Sequence, residues 1–363
     1  MRLALTGGGT GGHIFPALAV MEALRTSEGA SLEVRFFGPE DRGERSIVDA
    51  AGVTFESVPS AGVRGRGPLA LVRSAWRLFS GTLTAVRKLR AYKPDAIFST
   101  GGYGSFPASV AAKLLRRPLV VYLPDVSPGW AVRAEKLLTT KMTTTTEAAL
   151  AHLSAPKTVV TGYPVREAFF TLDREATRAS LGFAPGELAV VIAGASQGAR
   201  AINNAVYGAL PSLLPTATVF HVTGEAGFEE ATRQKAKLST AIAANYHPAA
   251  FRPDLPALMV ACDLGVFRAG ASVLGEVPAA KLPSVLIPGT FAGGHQRDNA
   301  RWLAEAGAAT VLEEADIQTF GDVLAGLLAD SNRLAEMRAA AVSLARPDAA
   351  AAIAAVVKEV ARK

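Results

Sequence analysis

The sequence predicts an α/β fold made of two Rossmann-like domains, each on its own parallel sheet. Three observations carry this expectation. Short apolar runs alternate with helical patterns, as in parallel sheets covered by helices on both faces. The alternation pauses near residues 156–166 and then restarts, and 363 residues suffice for two domains. Glycine-rich segments follow three of the strands, at the carboxyl edge where open α/β sheets hold their ligands.

In the first half, strands are expected at 3–6, 32–37, 54–58, 96–99 and 119–123. The first follows Met1-Arg2 directly, which predicts no secretory leader. It runs into Gly7-Gly-Gly-Thr-Gly-Gly12, five glycines in six residues, and then into His13 at the start of a helical pattern. Glycine lets backbone N–H groups approach a charged group, and a helix N-terminus favours an anion, so a phosphate site is expected here. His13 sits at its mouth, where a proton acceptor is useful. The spacing Gly7-x-Gly9-x-x-Gly12 also fits a dinucleotide fingerprint. That fingerprint wants an acid at the end of the second strand, where this chain has Gly38, with Glu40 and Asp41 beyond Pro39. Gly101-Gly102-Tyr103-Gly104 follows the fourth strand in the same way.

The pattern restarts after Gly162-Tyr-Pro-Val-Arg166. Residues 173–186 read as helix and turn, and strands are expected at 188–193, 218–222, 264–267 and 284–287. Gly194-Ala-Ser-Gln-Gly198 leaves the first of them. The expected domains are therefore 1–161 and 162–363, and the last helix is left open to pack back on the first.

Almost half the residues are apolar (49%) and 19% are charged, which excludes a largely disordered chain. The single cysteine, Cys262, allows no intrachain disulfide, and no cluster has metal-ligand spacing. No apolar run is expected to reach the ~18 residues of a membrane span, so a cytoplasmic protein is expected. The net charge of +6 is uneven: residues 1–157 hold 20 Lys/Arg against 12 Asp/Glu, and residues 158–363 hold 18 against 20. Between Glu56 and Asp95 there is no carboxylate, while Arg64, Arg66, Arg73, Arg77, Arg87, Lys88, Arg90 and Lys93 fall there. Leu69, Trp76, Phe79 and Leu83 are interleaved with them. Two readings stay open: a helix lying on an anionic membrane surface through residues 64–93, or a core-packed helix with a solvated basic face. Nucleic acid is not expected, because no recognised binding motif accompanies the charge.

In the second half, Phe267-Arg-Ala-Gly-Ala-Ser-Val-Leu-Gly-Glu276 is a strand end, a glycine turn and a helix start, and Glu276 suits a ribose diol. Residues 288–300 bring His295, Gln296 and Asn299 to a helix start, and amides read sugar hydroxyls as donor and acceptor at once. Arg166 is placed to face a diphosphate.

These segments resemble the MurG family, the peptidoglycan glycosyltransferases of glycosyltransferase family 28. The residues that carry the resemblance are Gly7-Gly-Gly-Thr-Gly-Gly-His13 with Pro16, Gly101-Gly-Tyr103, Gly194-x-Ser-Gln-Gly-Ala199 with Asn203, Arg268-x-Gly-Ala271 with Glu276, His295-Gln-x-x-Asn-Ala300 and Gly307-Ala-Ala, in the family's order and over nearly the whole chain. The resemblance implies a GT-B fold, its two domains facing a cleft. It implies inverting transfer of N-acetylglucosamine from UDP-GlcNAc to the MurNAc 4-hydroxyl of lipid I, giving lipid II at the inner face of the cell membrane. On the donor side it implies Ser196, Gln197, Asn203 and Ala271, with Arg166 near the nucleotide and Glu276 on the ribose. His295, Gln296 and Asn299 would face the donor sugar, while Phe251 and Arg252 match the segment whose backbone reads uracil. Thr10, Gly11, Gly12, Gly101, Gly102 and Tyr103 would hold the acceptor diphosphate, with His13 as base. No resident cofactor or metal is implied, a divalent cation being at most stimulatory.

The departures are local. Where the family commonly has His-Glu-Gln-Asn, this chain has Tyr122-Leu123-Pro124-Asp125. A carboxylate there either repels the acceptor diphosphate or competes for the role of base. Ala269 and Val273 replace the usual serine and threonine. The alternatives are a related UDP-sugar glycosyltransferase with another lipid or small-molecule acceptor, a UDP-GlcNAc 2-epimerase of the same architecture, and a silent sugar-nucleotide-binding protein.

Overall fold

The structure, a computed structural model, describes residues 1–8, 11–40, 43–62, 68–194, 199–289 and 294–362. The chain divides into two compact units, Met1–Val165 with Arg346–Lys363 and Arg166–Ala345. The division falls after Val165 rather than after residue 161, and the last helix belongs to the first unit.

The first unit contains β1 (Arg2–Thr6), β2 (Glu33–Gly38), β3 (Thr54–Ser57), β4 (Ala96–Ser99), β5 (Leu119–Leu123), β6 (Lys141–Thr144) and β7 (Thr158–Val160). All pairings are parallel, in the order β3-β2-β1-β4-β5-β6-β7. The central strands are almost wholly apolar because helices cover both faces: every residue of β4 and β5 is buried, Ser99 at the end of β4 included. The second unit contains β8 (Leu188–Ala193), β9 (Ala217–Val222), β10 (Tyr246–Ala249), β11 (Leu264–Arg268), β12 (Ser284–Ile287) and β13 (Ala309–Val311), ordered β10-β9-β8-β11-β12-β13.

Four of these strands were not anticipated. β6 is disguised by its polar letters, yet Thr143 and Thr144 are fully buried, and β-branched threonine suits a strand. β7 lies inside the expected linker. β10 carries Pro248, which a sheet tolerates at its edge, and β10 pairs with β9 alone. β13 is only three residues long.

Strand order reverses between β1 and β4 in one sheet and between β8 and β11 in the other. Such switch points open a crevice at the carboxyl ends of the strands. Gly7, Gly8 and the segment 101–104 lie at the first switch point, and Gly194 and the segment 268–271 lie at the second.

The Pro68–Tyr92 helix carries two stripes. Ser74, Gly81, Ala85, Leu89 and Tyr92 are buried, and the helix packs on the Phe106–Leu114 helix. A Cβ on Gly81 would strike the Pro59 carbonyl, so the chains meet backbone to backbone there. The other stripe, Val72, Trp76, Phe79 and Leu83, is exposed, with Trp76 at 67%. Arg73, Arg77, Arg87 and Arg90 are exposed beside it. The core-packing expectation therefore accounts for one stripe only. Arg64 and Arg66 lie outside the described residues, as does the Leu69 side chain.

One apolar helical stretch, Ser331–Ala361, is long and apolar enough by composition to cross a membrane, contrary to the expectation of none. It is broken at residues 345–348 into helices of 14 and 13 residues, Ser331–Leu344 and Ala349–Ala361, each short of the ~20 needed. Leu334, Met337 and Ala341 are buried in the second unit, and Ile353, Val357 and Val360 in the first. The Ala349–Ala361 helix lies on the Gly11–Glu28 helix and on β4, β5 and β6. Lys358 to Glu28 (2.7 Å) and Lys141 to Glu359 (2.6 Å) flank that contact.

Candidate active site

In the first unit the ends of β1 and β4 bring His13 and the second glycine loop together. The Thr100 N–H donates to the Thr6 carbonyl at 3.0 Å, and its hydroxyl donates to the His13 carbonyl at 2.7 Å. In return His13 Nδ1 lies 2.9 Å from the Thr100 carbonyl oxygen. A carbonyl only accepts, so Nδ1 carries a proton, and the tautomer this contact selects has its lone pair on Nε2. Gly102 lies against that ring: a Cβ on it would stand 3.3 Å from Nε2 and would strike the Gly8 carbonyl. Gly101 and Gly102 have φ of +78° and +84°, where a side chain is also strained.

The other residues expected on the acceptor side are placed less directly. Gly11 opens the Gly11–Glu28 helix, and the Tyr163 hydroxyl donates to the Gly12 carbonyl at 3.4 Å. The Tyr103 carbonyl accepts from Ser60. Thr10 lies outside the described residues. Asp125 is half-buried just after β5, the neighbour of β4, at the same sheet edge as Gly101. Tyr122 is fully buried, its hydroxyl 2.7 Å from Thr145 Oγ1 and 3.3 Å from the Gly162 carbonyl. Burial, reinforced by the Asp125 charge, pushes its phenol well above the usual range. Tyr122 is thus a core residue, and only Asp125 of the departing segment bears on the site.

In the second unit the structure places two of the expected donor-side residues in the interior. Asn203 was expected on the donor side, but its amide is buried and bonded inside the unit. Nδ2 donates to the Thr223 carbonyl at 3.0 Å, and Oδ1 lies 3.1 Å from His221 Nε2. That oxygen can only accept, so His221 carries its proton on Nε2, and Nδ1 accepts from Tyr246 at 2.9 Å. Burial drives the imidazole down to about 3, which keeps it neutral. Asn203 therefore fastens the Arg200–Leu213 helix to β9. Asn299 was expected to face the sugar, but it is fully buried and donates to the Ala269 carbonyl at 3.1 Å, supporting the 268–271 turn from inside. Both side chains are bonded within the unit.

Other members stand nearer the sheet edge. Arg268 makes a bidentate pair with Glu314 at 3.1 and 3.2 Å and reaches the Ile287 and Pro288 carbonyls at 3.3 Å, tying β11 to β12. Ala269 and Val273, the departures from serine and threonine, are buried. Ala271 is half-buried in the turn. Glu276 is half-buried; burial raises its carboxyl, while the Arg166 charge and a Ser272 hydrogen bond pull the other way. Arg166 is exposed, with its guanidinium 5.8 Å over the Phe169 ring. An exposed cation thus stands within electrostatic range of the expected ribose acceptor.

Gln296 Oε1 accepts from the Gly289 N–H at 2.8 Å, tying the helix start to the residue just after β12, and His295 is half-buried beside it. Phe251, after β10, is 69% exposed, and Arg252 is paired with Asp254 at 2.7 and 2.6 Å. Ser196 and Gln197 lie outside the described residues. Sequence reasoning missed Thr100, which locks His13, and Glu314, which neutralises Arg268. Neither sits in a recognisable motif.

The comparisons with known proteins bear on the family and the fold. The glycosyltransferase family 28 N-terminal domain matches residues 3–142, and the family's C-terminal domain matches residues 189–353. A relative from Symbiobacterium thermophilum, a UDP-N-acetylglucosamine--N-acetylmuramyl-(pentapeptide) pyrophosphoryl-undecaprenol N-acetylglucosamine transferase, is 37% identical over 100% of this chain and 97% of its own length. Among solved structures, Acinetobacter baumannii MurG matches at a TM-score of 0.77 and 24% identity over 99% of each chain. A UDP-GlcNAc 2-epimerase from Neisseria meningitidis, bound to UDP-GlcNAc, matches at 0.68 and 14% identity, covering 99% of this chain and 100% of its own. Those two likenesses speak to the fold, which is GT-B. With both domain matches and a full-length relative above 30% identity, the chain belongs to glycosyltransferase family 28.

Proposed function

We propose that this enzyme transfers N-acetylglucosamine from UDP-GlcNAc to the MurNAc 4-hydroxyl of lipid I, with inversion, to give lipid II. The observation that carries the reading is 37% identity along the whole chain to a transferase named for that reaction. His13 supports it, because its locked Nδ1–H leaves Nε2 as a base at the mouth of the first switch point. In the proposed step Nε2 takes the acceptor hydroxyl proton while the oxygen attacks the anomeric carbon. The bond from that carbon to the diphosphate breaks, and the electron pair leaves with UDP. Arg166 and backbone N–H groups at the glycine loops stabilise the growing negative charge, so no resident metal is required and a divalent cation is at most stimulatory. Glu276 accepts the ribose hydroxyls.

The exposed stripe Val72, Trp76, Phe79 and Leu83 with its arginines fits a peripheral seat on the anionic inner face of the cell membrane, where lipid I is anchored. Nucleic acid has no place in this reading. Asp125 favours one second reading, a related lipid acceptor with a differently arranged diphosphate.

The test is incubation with labelled UDP-GlcNAc and a soluble lipid I analogue. Disaccharide product is expected. UDP-GlcNAc consumed without acceptor would instead indicate epimerisation, and no turnover at all would indicate a silent binding protein.

A further inference from the structure

Beneath the Gly101–Tyr103 loop lies a carboxylate with no role in the transfer step. Glu135, which ends the Trp130–Glu135 helix, has no solvent exposure. Ser105 and Ser109 donate to its Oε1 at 2.7 Å each, and Ser99 Oγ lies 3.2 Å from both carboxylate oxygens. Two of these serines also hold the loop. Ser99 Oγ accepts from the Gly101 N–H at 3.1 Å, and Ser105 Oγ lies 2.8 Å from the Gly102 carbonyl. Ser105 immediately precedes the Phe106–Leu114 helix and Ser109 is in its first turns, so the carboxylate stands at a helix N-terminus, where negative charge is favoured.

Among the described residues, none forms an ion pair with it. β4 and β5 carry no charged side chain, and Lys113 is exposed. Arg133 donates to the Pro128 carbonyl at 2.9 Å, Lys136 lies 3.5 Å from the His152 carbonyl, and His13 is held by Thr100. Asp125 adds a carboxylate after β5. Burial pushes the Glu135 carboxyl up to about 7 against the pull of the three hydroxyls.

We propose that Glu135 is a positioning residue whose ionised form locks the acceptor-side loop, so that acceptor binding follows the protonation of this one buried carboxylate. Ionised, it takes the Ser99 and Ser109 protons, which leaves Ser99 Oγ free to accept from Gly101, while the one Ser105 proton is shared between Glu135 Oε1 and the Gly102 carbonyl. Protonated, it must donate to a serine oxygen itself, and the Gly101 N–H then competes for its anchor. The proposal rests on the loop being the acceptor diphosphate site.

The experiment measures KM for the lipid I analogue and for UDP-GlcNAc between pH 6 and 8, with hydrogen exchange of residues 101–105 corrected for intrinsic rates. In the wild type the acceptor KM should rise about tenfold from pH 8 to pH 6, the factor expected when only the ionised form is competent. The donor KM should stay flat, and loop protection should fall in step. Glu135→Gln should show the raised acceptor KM and low protection at every pH. Ser109→Ala, which removes one donor to the carboxylate, should move the midpoint upward while matching the wild type at high pH. An acceptor KM and loop protection in Glu135→Gln that track the wild type across pH would overturn the proposal. Absence of disaccharide from the wild type would sink the transfer reading alone, because hydrogen exchange still reports whether the loop follows Glu135.

Discussion

Replacing Glu135 with glutamine should change how stability depends on pH, by an amount the structure sets. The folded carboxyl sits at about 7 against an ordinary 4.5. Because the folded value is the higher one, the native state binds more protons than the unfolded state between the two. Stability therefore falls as pH rises from about 4.5 to about 7 and is flat beyond. The full shift corresponds to about 3 kcal/mol, of which about 2.5 kcal/mol develops between pH 5 and pH 8.

Glutamine has a similar shape and stays neutral, and its amide can donate to the serine oxygens, so the variant lacks this slope. Relative to the wild type it should gain about 2.5 kcal/mol on going from pH 5 to pH 8. At a urea slope of about 2 kcal/mol/M that is a midpoint change of about 1 M. The depressed carboxylates, Glu56 held down by Lys88 and Arg35 and Asp254 held down by Arg252, lose their contribution only in acid and are common to both proteins. Trp130, in the same helix and 5.9 Å from the Phe106 ring, reports on this unit once Trp76 and Trp302 are replaced by phenylalanine. Parallel pH dependence in the two proteins would refute the assignment of a strained, buried charge.

Three further outcomes are expected. His13→Ala should lower turnover by about a hundredfold or more while UDP-GlcNAc binding by calorimetry is unchanged; retained turnover removes His13 as the base. Replacing Trp76 and Phe79 together with serine should weaken binding to anionic vesicles at least about tenfold, since each buries a large apolar side chain on docking. Equal binding by a folded variant would count against the membrane seat. Asn203→Ala should lower stability by about 1–3 kcal/mol, because His221 Nε2 is left buried without an acceptor. A variant with unchanged stability but lost donor binding would return Asn203 to the ligand.

The glycine loops were legible in the sequence because their chemistry leaves one option. At Gly102 any side chain meets both the Gly8 carbonyl and the His13 ring, so the residue type states the geometry. Buried apolar strands were legible for a similar reason, since β1, β4 and β5 can only be interior. Asn203 and Asn299 were not, because an amide suits a sugar hydroxyl and a backbone carbonyl equally well, and only packing decides which it meets. The Pro68–Tyr92 helix was half legible: its composition gave an amphipathic helix, but two apolar stripes share one sequence and burial separates them. The Glu135 cluster was invisible, because Ser99, Ser105 and Ser109 converge on it only through the packing of two short helices against β4.

The return of the Ala349–Ala361 helix to the first unit sets the order in which the protein can be finished. Synthesis delivers residues 1–165 first, yet the apolar face of the Gly11–Glu28 helix stays uncovered until Ile353, Val357 and Val360 arrive. The second unit, an unbroken segment of chain, has no such wait and can close while the ribosome is still working. The half made first is therefore completed last. Stalled or truncated nascent chains should expose that sticky face, making this seam a natural point for quality control to act on.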